Sequence, residues 1–183
     1  MPIVLDGSSL TLKQIVDIAD GREDVRLSQP EALAHPLLYM TGHHDFHFSD
    51  GEVERLRGYL QAGGLLLSDA CCGRLSFDAA FRRELRRVLP DERLETLPAD
   101  HPLYHSVHDI GAVQYTPLVE KDLGHTTTPT LEGITLNGKL AVIHSRFDLG
   151  DGWEMFPHAF SRGYDSDSAL KLGVNVLAYA LIH

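Results

Sequence analysis

The sequence predicts an α/β fold built on a mainly parallel, helix-covered sheet, and three observations carry that prediction. Leu37-Leu38-Tyr39-Met40 and Gly64-Leu65-Leu66-Leu67-Ser68 are short apolar runs, the pattern of strands buried on both faces. Each is followed by residues at helical spacing, so that positions 37 to 90 read β-α-β-α. Between Gly63 and Gly73 the chain runs from a strand into a tight turn, Asp69-Ala70-Cys71-Cys72-Gly73, before a new helical pattern begins near Phe77. Folds of this kind place their chemistry at such turns.

The bulk numbers are compatible with that class. A chain of 183 residues suits a single domain over 1–183, and 43% hydrophobic with 23% charged residues is an ordinary globular composition. A net charge of −10 argues against binding nucleic acid through its phosphates. No apolar stretch approaches the roughly 18 residues of a membrane helix, and Met1-Pro2-Ile3-Val4-Leu5-Asp6 has no signal-peptide character. The two cysteines are neighbours and cannot frame a secreted disulfide fold, so a reduced, cytoplasmic protein is expected.

In chain order, Ile3 to Leu5 reads as a short strand, and Ser8 or Ser9 caps a helix carrying Leu12, Ile15, Val16 and Ile18 or Ala19, ended by Gly21. Val25-Arg26-Leu27 is a further strand candidate before Pro30. Residues 5 to 28 resemble the opening of the histidine and phenylalanine ammonia-lyases, but the Ala-Ser-Gly triplet of those enzymes is absent and no lyase function is carried over. Ser49 or Asp50 caps the next helix, whose stripe is Val53, Leu56 and Leu60 and whose stop is Gly63. Phe77, Phe81, Leu85, Val88 and Leu89 mark a second helix, ended by Pro90. From Asp91 to Thr130, prolines and histidines point to long loops around one strand, Ala112 to Tyr115. Leu131 to Leu136 and Lys139 to Ser145 flank Asn137-Gly138, a hairpin signal. A helix from about Ser166 to Ile182 is apolar nearly all round and is expected to be largely buried.

Pro36-Leu37-Leu38-Tyr39-Met40-Thr41-Gly42-His43, followed by Leu56-x-x-Tyr59-Leu60-x-x-Gly63-Gly64-x-Leu66-Leu67-x-Asp69, resembles a bacterial family, the domain-of-unknown-function family four-one-five-nine. The likeness continues through Phe77 to Phe81, Val88-Leu89-Pro90, Asp100-His101-Pro102-Leu103-Tyr104, Leu131-Glu132-Gly133 and Gly173-Val174-Asn175 to Tyr179-Ala180. This resemblance implies a class I glutamine amidotransferase-like fold, a flavodoxin-like three-layer sandwich. It does not imply amidotransferase activity, since other domains of that superfamily serve as binding or structural modules.

In the amidotransferases a Gly-x-Cys-x-Gly turn exposes the nucleophile. On that resemblance Cys71 takes the nucleophile's place, because Gly73 stands two residues later, while Asp69 replaces the earlier glycine. Asp69 would also raise the thiol pKa. His144 ends the strand Leu140 to Ile143 as the amidotransferase histidine does, but Ser145-Arg146 replaces the usual Pro-Glu, leaving Asp148 or Glu154 as substitute acids. Two buried structural cysteines and a hydrogen-bonded strand-end histidine are the plainer alternatives.

Other constellations invite binding. His43, His44 and His47, with Asp45, follow a strand at the sheet edge where α/β folds bind ligands, and three imidazoles suit a divalent metal such as zinc. His101, His105 and His108 form a second group. The Arg82, Arg83, Arg86, Arg87 and Arg93 run is read as a solvated helix face, and Asp148-x-x-Asp151-Gly152-x-Glu154 as an acidic turn. The sequence therefore points first to a noncatalytic or small-ligand-binding module, acting in a homo-oligomer or larger assembly. Its pocket would be formed by Gly42, His43, His44, Asp69, Cys71, Cys72 and Gly73. The alternative is a cysteine- or metal-dependent hydrolase of a small amide or sugar-like substrate.

Overall fold

The computed structural model describes residues 3–5, 25–27, 36–155 and 158–182. Two short strands, β1 (Ile3–Leu5) and β2 (Val25–Leu27), pair in parallel as a sheet of their own. The helix expected between them lies outside the described residues.

The main sheet has five strands in the order β3-β4-β7-β6-β5, namely β3 (Leu37–Gly42), β4 (Leu65–Ala70), β5 (Glu95–Thr96), β6 (Leu131–Leu136) and β7 (Lys139–Ser145). β4 runs parallel to both neighbours, and all six of its residues are buried. Leu65 and Leu67 enter one core and Leu66 and Ala70 the other, as the twofold alternation of a strand requires. The far half of the sheet is antiparallel, because β6 and β7 form a hairpin. Its turn places Asn137 at φ 51° and Gly138 at φ 80°, the left-handed pair that a two-residue hairpin demands.

Helices cover both faces. α1 (Asp50–Gln61) starts at a capping box: Ser49 Oγ accepts the Glu52 N–H at 3.4 Å and the Glu52 carboxylate accepts the Ser49 N–H at 2.7 Å. α1 buries Val53, Leu56, Tyr59 and Leu60, and α2 (Leu75–Val88) buries Phe77, Phe81, Leu85 and Val88, all in the core shared with Leu66 and Val142. Gly64 makes the α1–β4 junction possible, since a Cβ there would lie 2.2 Å from the Tyr59 ring. On the opposite face, α5 (Ser166–Ile182) packs Ala169, Leu172 and Val176 against Leu65, Leu67 and Ile143. Two short helices, α3 (Pro117–Leu123) and α4 (Gly150–Trp153), lie in the connections. Among the described residues no helix is long and apolar enough to cross a membrane.

Two expectations are corrected. Ala112 to Tyr115 is not a strand: the Val113 and Gln114 N–H groups donate to Thr127 O and Ser168 Oγ, and Tyr115 makes only an isolated bridge with Tyr164. α5 is not buried all round, because Leu170, Val174, Leu177 and Leu181 are 40 to 77% exposed along one stripe. The arginines of α2 are committed within the chain. Arg83 and Arg87 flank the buried Glu84 and reach Asp45 and Asp50, while Arg82 binds Asp78 and Glu132.

Candidate functional site

β4 stops at Ala70, and a single 3-10 turn, Cys71–Gly73, delivers the chain to α2. To make this turn Cys72 adopts φ 52°, ψ 19°, and Gly73 φ 62°. The left-handed conformation is free for glycine but costs an ordinary residue about 1–2 kcal/mol. At Gly73 a Cβ would also meet the Arg162 Cβ at 2.6 Å and its carbonyl oxygen at 2.7 Å.

Three segments converge on this turn. His43, just past β3, places Nε2 3.3 Å from the Cys72 Sγ. His158 places its own Nε2 3.2 Å from the same sulfur. Asp151 of α4 sets Oδ2 3.9 Å from the sulfur and 3.4 Å from the His158 Nε2. The Cys71 sulfur lies 3.9 Å from that of Cys72. Cys72 is buried, Cys71 half-buried, and the His158 side chain 41% exposed, so the cluster opens to solvent on the His158 side.

Two buried carboxylates brace the cluster from behind. Asp148 accepts the backbone N–H of Cys72 on Oδ2 and that of Asp151 on Oδ1, the latter at 2.7 Å. Asp69 accepts the Tyr39 hydroxyl at 2.8 Å, the Leu149 N–H at 2.8 Å and the Gly150 N–H at 3.2 Å. It thereby ties β3, β4 and the start of α4 together.

The electrostatics share one sign. Burial pushes the Cys71 thiol far up, reinforced by the charges of Asp148, Cys72, Asp69 and Asp151. Burial, then Asp151 and Asp148, also raise Cys72, with Arg74 opposing. Asp148 is pushed up to about 7, by burial first and Asp69 next, and Asp69 is itself raised by burial. Burial leads every one of these shifts, and at the two thiols and Asp148 the neighbouring negative charges add to it; a bound divalent ion would oppose both effects.

His158 is poorly placed to act as a base for the Cys72 thiol. His158 Nδ1 accepts the Phe160 N–H at 3.1 Å, so the neutral ring carries its proton on Nε2 and cannot take one from Cys72. Burial, and after it the adjacent carboxylates, disfavour the Cys72 thiolate. As a ligand set, the same atoms fit well. Atoms bound tetrahedrally at roughly 2.0–2.3 Å from zinc lie roughly 3.3–3.8 Å apart. Cys72 Sγ, His158 Nε2 and Asp151 Oδ2 are separated by 3.2, 3.4 and 3.9 Å.

The expected site residues are only partly brought together. Cys71, Cys72, Gly73, Asp69 and His43 meet at the β4 turn, Asp69 as a brace. His144 is engaged by α2 instead: Nε2 contacts Asp78 Oδ1 at 2.8 Å and the ring stacks on Phe81, centroids 4.4 Å apart. Asp78 thus fills the place for which Asp148 and Glu154 were considered, and Cys71 with His144 forms no pair. Among the described residues no compact donor group combines His43, His44 and His47, and His47 is 70% exposed beside Glu84. Gly42 serves packing, since a Cβ there would strike the Phe77 ring at 2.7 Å. His101 caps the turn before Leu103 and His105 pairs with Asp109, so the second histidine group is also dispersed. Sequence reasoning missed His158, which carries no local pattern, and read Asp151 only as part of a turn. Their distance from Cys72 in the chain hid the connection.

No curated protein matches this sequence. The sequence model of one family, described as a domain of unknown function (DUF4159), matches residues 8–181. The chain belongs to that family.

Proposed function

We propose that this chain is a metal-dependent hydrolytic domain on an amidotransferase-like α/β scaffold, with a zinc-class ion held by Cys72, Asp151 and His158. One observation carries the reading: these three donor atoms lie 3.2 to 3.9 Å from one another, the spacing of edges in a tetrahedral site. Three protein ligands with a solvent-facing fourth position are the arrangement of catalytic rather than structural zinc. The parallel β3–β4–β7 block, with helices on both faces, supports the scaffold assignment.

The chain's own residues perform definable tasks. Cys72 would lose its proton on binding, and its anionic sulfur would supply the soft ligand. His158 would carry its proton on Nδ1 and give up the Phe160 hydrogen bond, a loss of about 1 kcal/mol. That is small against the roughly 10 kcal/mol or more available from zinc coordination by protein ligands. Asp148 holds the Cys72 and Asp151 backbones in register. When bound, the ion would lower the pKa of a water at the open position and make it a nucleophile near neutral pH.

The test is metal content by elemental analysis after dialysis against a weak chelator, together with cobalt substitution. A thiolate ligand gives a sulfur-to-cobalt charge-transfer band, which should vanish in Cys72→Ser. Absence of bound metal in the wild-type chain would overturn the reading; retained metal without ester or amide hydrolysis would reduce it to a noncatalytic metal-binding module.

A further inference from the structure

The Cys72 sulfur has more ligands around it than one ion can use. His43, Cys71 and Cys72 form one compact donor group, and Cys71, Cys72, Asp148 and Asp151 form another, each with all its ligand atoms within 4.8 Å of one another. Both groups contain the two thiols. His43 stands outside the group that holds the carboxylates, although its Nε2 is 3.3 Å from the Cys72 sulfur. A single tetrahedral ion needs every pair of its ligand atoms within about 4 Å. An ion placed among Cys72, Asp151 and His158 draws on one set of donors, and His43 with Cys71 offers a second set to the same sulfur.

Cys71 and Cys72 belong to both donor groups, so two ions seated in them would share sulfur. Thiolate sulfur has enough lone pairs to bridge two ions, which a neutral imidazole cannot do.

We infer that the site takes two zinc-class ions bridged by the Cys72 thiolate. The first is held by Asp151 and His158, and the second by His43 and Cys71. This rests on the metal-centre reading above and assigns His43 and Cys71 as ligands of a distinct second ion. Cys71 is then a ligand, which accounts for a second thiol beside a first in a pocket whose carboxylates disfavour a free thiolate.

The experiment reconstitutes the full chain with zinc alone and counts ions by native mass spectrometry and elemental analysis, for wild type, His43→Ala, His43→Gln and Cys72→Ser. Thermal unfolding checks that each variant folds. The expected result is two ions per wild-type chain, one in either His43 variant, and at most one weakly held ion in Cys72→Ser. Cobalt loading supplies an independent readout. Two cobalt ions sharing one sulfur are spin-coupled, so the paramagnetic signal per cobalt should rise in the His43 variants. One ion per wild-type chain, unaffected by His43→Ala, overturns the second ion and leaves the first. One ion that is lost in both His43 variants also overturns it, by making His43 the closing ligand of a single site. No ion at all overturns the metal centre itself.

Discussion

The backbone N–H of Cys72 donates to Asp148, whose other carboxylate oxygen accepts the N–H of Asp151. One side chain, buried behind the cluster, thus sets the spacing between the elbow after β4 and the helix after β7. Outer-shell groups of this kind typically contribute 10–100-fold to metal affinity. Asp148→Ala is therefore expected to weaken zinc binding by about 10–100-fold in a competitive chelator titration. It should also destabilise the metal-free protein by about 1–3 kcal/mol, because two buried N–H groups lose their acceptor. Unchanged zinc affinity in a folded variant would remove Asp148 from this role.

The elbow itself separates sulfur chemistry from backbone strain. Cys72 sits at φ 52°, so replacing it with alanine removes the sulfur and keeps the strain, whereas glycine removes both. Cys72→Gly should be more stable than Cys72→Ala by about 1 kcal/mol in denaturant titrations without metal, although glycine is ordinarily the poorer residue. Neither variant should give the cobalt–sulfur band. The reverse order of stabilities would show that Cys72 does not hold the left-handed conformation in solution.

A third expectation concerns a contact far from the sulfur in sequence. Gly163 lies against the Asp148 backbone, and a Cβ there would come within 2.5 Å of the Asp148 carbonyl oxygen. The Asp148 carbonyl oxygen and its Cβ, at 2.8 Å, are not flexible side-chain ends, so the loop after β7 must move. Gly163→Ala should cost about 1–3 kcal/mol in stability and weaken zinc binding in parallel with Asp148→Ala. Loss of stability with full zinc affinity would uncouple that loop from the site.

The central strands were legible because their physics is local. Leu65 to Leu67 is buried on both faces and reads as apolar without interruption, and Asn137-Gly138 states its hairpin in two residues. The turn at Asp69 to Gly73 was legible as a location for the same reason. Choosing between its cysteines was not, because the choice depends on a left-handed φ at Cys72 and on groups from three distant segments. His43 lay beside a recognisable strand, but His158 stands 86 residues from Cys72 with no motif around it. The Ala112 to Tyr115 segment misled because alternating Val113 and Tyr115 are buried by loop packing, not by sheet pairing.

The same limit explains His144 and leads to an acid-stability prediction. The ring ends its strand as an active-site histidine would, yet α2 claims it through Asp78 and Phe81. Burial alone would raise the Asp78 carboxyl, but the His144 hydrogen bond and the Arg82 charge outweigh it and hold the pKa below its ordinary 3.8. A carboxylate lowered in the folded state binds its proton more readily when unfolded. Its contribution is therefore present above the ordinary value and is lost as the pH falls through the lowered one. The metal-free protein should lose stability below about pH 4, and Asp78→Asn should shrink that loss while costing about 1–3 kcal/mol at neutral pH. Zinc stoichiometry in Asp78→Asn and in His144→Gln should equal that of the wild type, since neither residue reaches the thiols. A His144 variant that folds but loses zinc would return this histidine to the site.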